Sequence, residues 1–242
     1  MERIVLMKKL GIIGGLGPLA TAYFYKLITD FTEIEREQEH LEILIHSCPS
    51  IPDRTSHILD PENNPSPLPK IEEIGRELAS AGCSVIAVPC VTAHCFFDDY
   101  SKSVPAQFIH MPKETAKYLA SEGIGCAGIM ATDGTLKTGV LASALEEYGI
   151  KPVRPSAKSQ KNVMKIIYEQ VKLGNPIDYE LFDSVGEDLR SQGAQTVILG
   201  CTELSLARSA LPDGYIDVLE VLASRSIEAC GAHVREEYKK LI

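Results

Sequence analysis

Two stretches decide the fold of this chain: Ala81-Gly-Cys-Ser-Val-Ile-Ala-Val-Pro-Cys90 and Gln192-Gly-Ala-Gln-Thr-Val-Ile-Leu-Gly-Cys201. In each, a Gly that ends a helix leads into an apolar run, and a Cys stands eight positions after that Gly. From Gly to Gly and from Cys to Cys the offset is 111 residues. A second pair, Gly11-Ile-Ile-Gly-Gly-Leu-Gly17 and Gly128-Ile-Met-Ala-Thr-Asp-Gly134, recurs at an offset of 117. The chain reads as two similar halves related by pseudo-two-fold symmetry, each with one Cys at the carboxyl end of a strand.

Around these anchors, β-rich runs at 10–13, 41–46, 84–88, 107–110, 127–130 and 196–199 alternate with helical patterns at 19–35, 69–81, 113–121, 138–147, 160–173, 177–192 and about 218–241. The runs are apolar at nearly every position, as parallel strands covered by helices on both faces require. The expected class is α/β, with two similar three-layer parallel-sheet domains, 1–103 with about 211–242 and 104–210, and the active site in the cleft between them. Open parallel sheets bind ligands outside the carboxyl ends of their strands. Facing halves then put Cys90 and Cys201 on opposite walls. The segment 49–69, with Pro at 49, 52, 61, 65, 67 and 69, reads as a long loop, because Pro lacks an amide donor and restricts its neighbour. Long loops in compact folds are often functional.

The chain has 242 residues, 45% hydrophobic and 24% charged, which excludes disordered, collagen-like and disulfide-stapled classes. A net charge of -9 argues against nucleic acid or anionic lipid as a partner. No stretch reaches the roughly 18 to 20 apolar residues of a membrane helix, and the opening MERIVLMKKL runs into a strand rather than a cleavage site. A cytoplasmic protein is expected, with no membrane contact and no function attached to the first seven residues. Seven Cys is an odd number, so reduced thiols are expected. With no CxxC pair and six scattered His, no metal site is expected.

Two matched thiols suit removal of a weakly acidic α-proton on one face of a carbon and its return on the other, one sulfur as thiolate and one as thiol. Taken singly, each Cys fits equally well as a buried strand thiol. Thr92 and Thr202, close after the two Cys, bring backbone N–H groups to a carboxylate. Thr132 and Thr135 in Ala131-Thr-Asp-Gly-Thr135 add hydroxyls, although Thr, Asp and Gly are also ordinary turn residues. Arg54 in the Pro-rich segment and Lys161 at a helix start are candidate cations for an anionic substrate, against the plain alternative of solvated side chains. His94 either raises the thiolate fraction of Cys90 when protonated or is a surface or satisfied His. Gly14-Gly-Leu-Gly-Pro18 reads as a strand-to-helix turn able to face an anion. Its partial dinucleotide fingerprint lacks the acidic residue, since the second strand ends Ile45-His46-Ser47. Cys48, Cys83, Cys95, Cys126 and Cys230 have no symmetric partner and read as packing residues.

Further motifs join these: Gly11-Ile-Ile-Gly-Gly-Leu-Gly-Pro-Leu-Ala-Thr-Ala22, Gln38-Glu-His40, Ile51-Pro-Asp-Arg-Thr55, Pro89-Cys-Val-Thr-Ala-His94, Gln160-Lys-Asn-Val-Met164, Ile167-Tyr-Glu-Gln-Val-Lys-Leu-Gly174 and Gly200-Cys-Thr-Glu203. In order and spacing they resemble the cofactor-independent aspartate/glutamate racemase family, most closely its aspartate branch, over almost the whole chain. The resemblance implies two α/β domains around one site, no pyridoxal phosphate, metal or other cofactor, and a conjugate pair at Cys90 and Cys201. It implies carboxylate contacts at Thr92, Thr132 and Thr202 and cations at Arg54 and Lys161. It also implies a small acidic amino acid as substrate, aspartate with glutamate second, and a homodimer.

Two positions depart from the family pattern. Val91 replaces the Asn of the usual Cys-Asn-Thr and removes an amide from the α-carboxylate. Asp133 stands where the family often has a small or hydroxylated residue, and its charge repels an acidic ligand unless it points away. Another amino acid, a hydantoin or a malonate-type acid stays open as substrate, as does a binding protein without turnover.

Overall fold

The computed structural model describes residues 7–242; residues 1–6, within the segment given no function above, lie outside it. The first half runs β1 (Lys9–Gly14), α1 (Pro18–Phe31), β2 (Ile43–Ser47), α2 (Arg54–Leu59), α3 (Leu68–Ser80), β3 (Cys83–Ala87), α4 (Phe97–Ser103) and β4 (Gln107–Phe108). Helix α5 (Met111–Ser121) leads to the second half: β5 (Cys126–Met130), α6 (Asp133–Thr138), α7 (Val140–Glu147), β6 (Lys151–Val153), α8 (Ala157–Lys165), α9 (Tyr179–Ser191), β7 (Thr196–Leu199) and β8 (Tyr215–Asp217). Helix α10 (Val218–Ala229) follows.

The two sheets have the same topology, β2-β1-β3-β4 and β6-β5-β7-β8, and every strand pair is parallel. The repeat seen in the sequence is thus a repeat of fold. The Gly11 strand and the Gly128 strand hold matching inner positions, and the two Cys follow the matching strands β3 and β7. From Leu10 to Gly14 every residue of β1 is buried, as is every residue of β7, which is why neither shows the polar alternation of a one-sided sheet.

Helix α10 packs against both α1 and α5. Its Leu219, Leu222 and Ile227 join Phe24 and Leu119 in one core that also takes in strand residues of both sheets, among them Ile12 and Ile198. Fully burying one such side chain contributes about 1.5–3 kcal/mol.

The structure departs from the sequence reading at several points. Segment 49–69 is not loop throughout: Asp53 caps α2 by accepting from Ser56 N–H at 2.8 Å, and the eight residues between Pro52 and Pro61 are free of proline. The helix read at 160–173 ends as α8 at Lys165, and the chain continues through a π turn (Ile166–Gln170) and a 3-10 turn (Val171–Leu173). The patterns at 138–147 and 218–241 give α7 and the shorter α10. Strands β6 and β8 were not legible, because each has three residues at a sheet edge. The last strand residue of the first sheet is Phe108 and that of the second is Asp217. Among the described residues no helix is long and apolar enough to cross a membrane.

Candidate functional site

The carboxyl ends of β3 and β7 each run into a turn within three residues, and those turns carry Cys90 and Cys201. Both thiols are free and buried, and both line one chamber of ≈ 280 Å³ together with Thr92, Thr132 and Thr202. An outer vestibule of ≈ 820 Å³ is lined by the Gly15–Ala20 turn, Pro49 and Ile51. Leu16, Asp53, Arg54, Lys172 and Glu203 border both spaces and form the passage between them.

A cluster of buried hydroxyls forms one wall. Thr92 Oγ1 lies 2.8 Å from Thr135 Oγ1 and 3.3 Å from Thr132 Oγ1. Thr132 also sits 3.2 Å from Thr135, and Thr55 Oγ1 donates to it at 3.3 Å. Thr92 and Thr55 belong to the first half and the other two to the second, so the cluster joins the halves. Thr55 was missed, since α2 was read as loop. Thr132 caps α6 by accepting from Thr135 N–H, which holds Thr135 behind the wall rather than on it. Gly134 is needed here: a Cβ at that position would stand 2.9 Å from Thr55 Cα. Lys137, one turn further along α6, donates to Ile58 O at 2.8 Å and ties the end of α2 to the same helix.

Arg54 lies on the chamber and is buried. Its Nη2 donates to Leu16 O at 2.9 Å and its Nη1 to Pro52 O at 3.1 Å. Burial works against the guanidinium, but Cys90 beside it, Asp53 and Glu203 outweigh that and hold its pKa above the ordinary value. Lys161 lies apart from the chamber. It is exposed and lines a separate depression with Gln160, Met164 and Glu169. Lys172 stands eleven positions further along the chain, past the end of α8.

The cation on the chamber is Lys172, in the turn after the π segment. Its Nζ is 3.6 Å from Asp53 Oδ2 and 3.9 Å from the centroid of the Tyr168 ring. Burial disfavours the ammonium, yet Glu203, Tyr168, Cys201 and Asp53 together raise its pKa. Tyr168 borders the chamber too, and burial raises its pKa. Both residues lie in the Ile167–Gly174 motif, and the signal that marks them is the interrupted helix: π turns recur at functional sites.

Cys201 Sγ donates to Glu203 Oε2 at 2.9 Å. Burial and the Glu203 carboxylate push this thiol well above its ordinary pKa, so it holds its proton. Glu203 is 6% exposed and stands two residues after Cys201, inside a motif already noted. His94 is the satisfied kind. Met111 N–H donates to Nε2 at 3.2 Å, which leaves Nδ1–H to donate to Cys90 O at 2.9 Å. Burial lowers its pKa to about 4, so at neutral pH it carries no charge and fixes the Cys90 backbone instead of ionising the sulfur. Of the other Cys, 83 and 230 are buried and 48, 95 and 126 half-buried.

Both departures have structural answers. Asp133 accepts from Gln160 Nε2 at 2.7 Å and borders the Lys161 depression, away from the chamber. Val91 lines the chamber as an apolar wall. Gly15 N–H, in the first glycine turn, is taken by Thr21 Oγ1 at 3.0 Å. Among the described residues no group of three His, Cys, Asp or Glu gathers as metal ligands do.

The sequence model described as Asp/Glu/Hydantoin racemase matches residues 13–235. An aspartate racemase from Picrophilus torridus superposes with a TM-score of 0.81 at 29% identity, covering 96% of this chain and 98% of that one. An aspartate racemase homologue from Pyrococcus horikoshii gives 0.75 at 28% identity, over 93% and 99%. A broad specificity amino-acid racemase of Bacillus subtilis is 22% identical over 202 residues, 81% of this chain and 86% of that protein.

Proposed function

This chain belongs to the Asp/Glu/Hydantoin racemase family, and from that premise we propose that it interconverts L- and D-aspartate through a proton exchange between Cys90 and Cys201. The observation that carries the reading is the sharing of one chamber by two thiols from matching strands. In one direction Cys90, beside Arg54, takes the α-proton as thiolate and forms its S–H bond. The pair of electrons left on Cα delocalises into the α-carboxylate, and the Cys201 thiol returns a proton to the opposite face. The other enantiomer reverses the roles.

The Thr92, Thr132 and Thr55 hydroxyls and the Arg54 guanidinium are the donors available to that carboxylate as its charge grows. Donors held in place in a site short of water stabilise such charge without reorganising. Lys172 at the passage suits the second carboxylate, which favours an acidic amino acid over an apolar one. Aspartate rather than glutamate is supported by the likeness to an aspartate racemase and an aspartate racemase homologue at 28–29% identity.

The test is proton NMR of L-aspartate and, separately, D-aspartate in D2O with the protein and no added cofactor. Loss of the α-proton signal from both, with the opposite enantiomer formed, supports the reading. Exchange of glutamate alone, or of neither, removes aspartate as substrate. The dimer implied by the resemblance is read separately by light scattering.

A further inference from the structure

Each turnover leaves such an enzyme in the mirror protonation state. A proton removed from one face sits on one sulfur, and the other sulfur has given its own away. Before the same enantiomer can react again, one proton must reach the depleted sulfur and one must leave its partner. Cys201 is poorly placed for this alone. Burial does not set it apart, since Cys90 is 6% exposed and Cys201 7%; its hydrogen bond to Glu203 does.

Resting on the racemase reading above, we propose that Glu203 is the proton relay between Cys201 and the water of the outer vestibule. One carboxylate oxygen touches Cys201 Sγ at 2.9 Å, and the side chain borders both the inner chamber and the vestibule. The other oxygen faces the glycine turn: a Cβ at Gly17 would stand 2.9 Å from Glu203 Oε1, so glycine there leaves the carboxylate its place in the passage. Lys172, bordering the same passage, keeps its charge beside Glu203. The carboxylate therefore has a thiol on one oxygen and the glycine turn by the other, with Lys172 lining the same two spaces.

The step balances with water alone. Vestibule water protonates the Glu203 carboxylate. Glu203 passes that proton to the Cys201 thiolate, so an O–H bond breaks as an S–H bond forms, and the carboxylate is restored. Cys90 gives its proton to water beside Arg54. One proton enters, one leaves, and the pair is reset.

A relay acting on the free enzyme limits kcat and leaves kcat/KM nearly untouched, because kcat/KM covers only the steps from substrate capture to product release. The test uses Glu203→Gln, which keeps size and shape, with Glu203→Asp as a second variant. The racemisation rate of each aspartate enantiomer is followed from below to far above KM. The expected result for Glu203→Gln is a fall of kcat by at least about tenfold, with kcat/KM within about threefold of wild type. Added imidazole at constant pH and ionic strength should restore kcat, since a small proton carrier bypasses the relay. Glu203→Asp should recover part of kcat without imidazole.

Unchanged kcat in Glu203→Gln overturns the relay. So does a parallel fall in kcat and kcat/KM with no response to imidazole, which is the mark of a structural or substrate-holding role. Failure of the Gln variant to fold moves the same comparison to Glu203→Asp. Wild-type protein that racemises neither enantiomer overturns the racemase reading itself, and the relay with it.

Discussion

The Lys172 ammonium, carried by the second half of the chain, stands 3.6 Å from the Asp53 carboxylate of the first. The side chains are 27% and 35% exposed, and a pair so placed contributes only about 0–1 kcal/mol to stability. Its importance lies at the mouth of the chamber, where an incoming carboxylate can take over the ammonium from Asp53.

Lys172→Met should therefore leave the melting temperature within about 4 °C of wild type. It should lower kcat/KM for aspartate by about 10–100-fold, since a hydrogen bond to a charged group is worth about 1.5–3 kcal/mol. Lys161→Met, in the separate depression, should change neither by more than about twofold. Equal losses in the two variants would refute the assignment of Lys172.

The double variant Cys90→Ser with Cys201→Ser should abolish α-proton exchange in D2O together with racemisation, because a Ser hydroxyl is a far weaker acid than a thiol and does not supply the anionic base. Thermal unfolding of the double variant checks that the fold persists. Retained turnover would place the chemistry on other groups.

Gly134→Ala puts a Cβ 2.9 Å from the Thr55 backbone, and neither α2 nor α6 can yield without moving the hydroxyl wall. Overpacking of this kind costs about 1–3 kcal/mol, or roughly 2–12 °C in melting temperature at this chain length. KM should rise as the wall opens. Gly125→Ala, where a Cβ would meet its neighbour at 3.6 Å, serves as the control and should be silent.

Asp217 lies outside the chamber but sets a pH dependence. It is buried, accepts from Ser205 Oγ at 2.6 Å and from Leu219 N–H at 2.8 Å, and its Oδ2 has no partner among the described residues. Burial and the Glu220 carboxylate push its pKa up to about 7. The unfolded chain, with an ordinary Asp, releases that proton near pH 4, so between about pH 4 and 7 this residue lowers stability as pH rises. His94, depressed to about 4 by burial, acts in the opposite sense up to about pH 6.5, because the unfolded chain binds a proton that the fold refuses. Asp217→Asn keeps the acceptor for Ser205 and Leu219 and removes only the first effect. Its stability relative to wild type should climb from pH 4.5 to pH 7.5 in denaturant titrations; parallel curves at all pH values would contradict the shift.

The repeat in the sequence carried the two-sheet plan and both thiols because it is written in glycines and strand residues, whose constraints are local. Thr92, Thr132 and Thr202 followed because they sit beside those turns. Residues placed by tertiary packing were harder. Lys161 and Lys172 occupy one helical pattern, and only the π turn between them shows which reaches the cleft. Thr55 was hidden by prolines that frame α2 instead of preventing it, although Asp53 in the capping position was a usable sign. The role of Glu203 depends on where its carboxylate points, two residues past Cys201, and spacing alone does not contain that direction.

A catalyst whose two ligands are mirror images must turn both over with equal kcat/KM, since the equilibrium between them is one to one. Thr55, Thr92 and Thr132 supply three hydroxyls on the chamber, with Oγ1 of Thr132 3.3 Å from each of the other two. Each can turn its hydrogen toward a neighbour or toward a guest. Rotating those hydrogens changes the handedness of the hydrogen-bond pattern while the heavy atoms stay still. One rigid cavity can thereby accommodate a left-handed and a right-handed guest without moving its backbone.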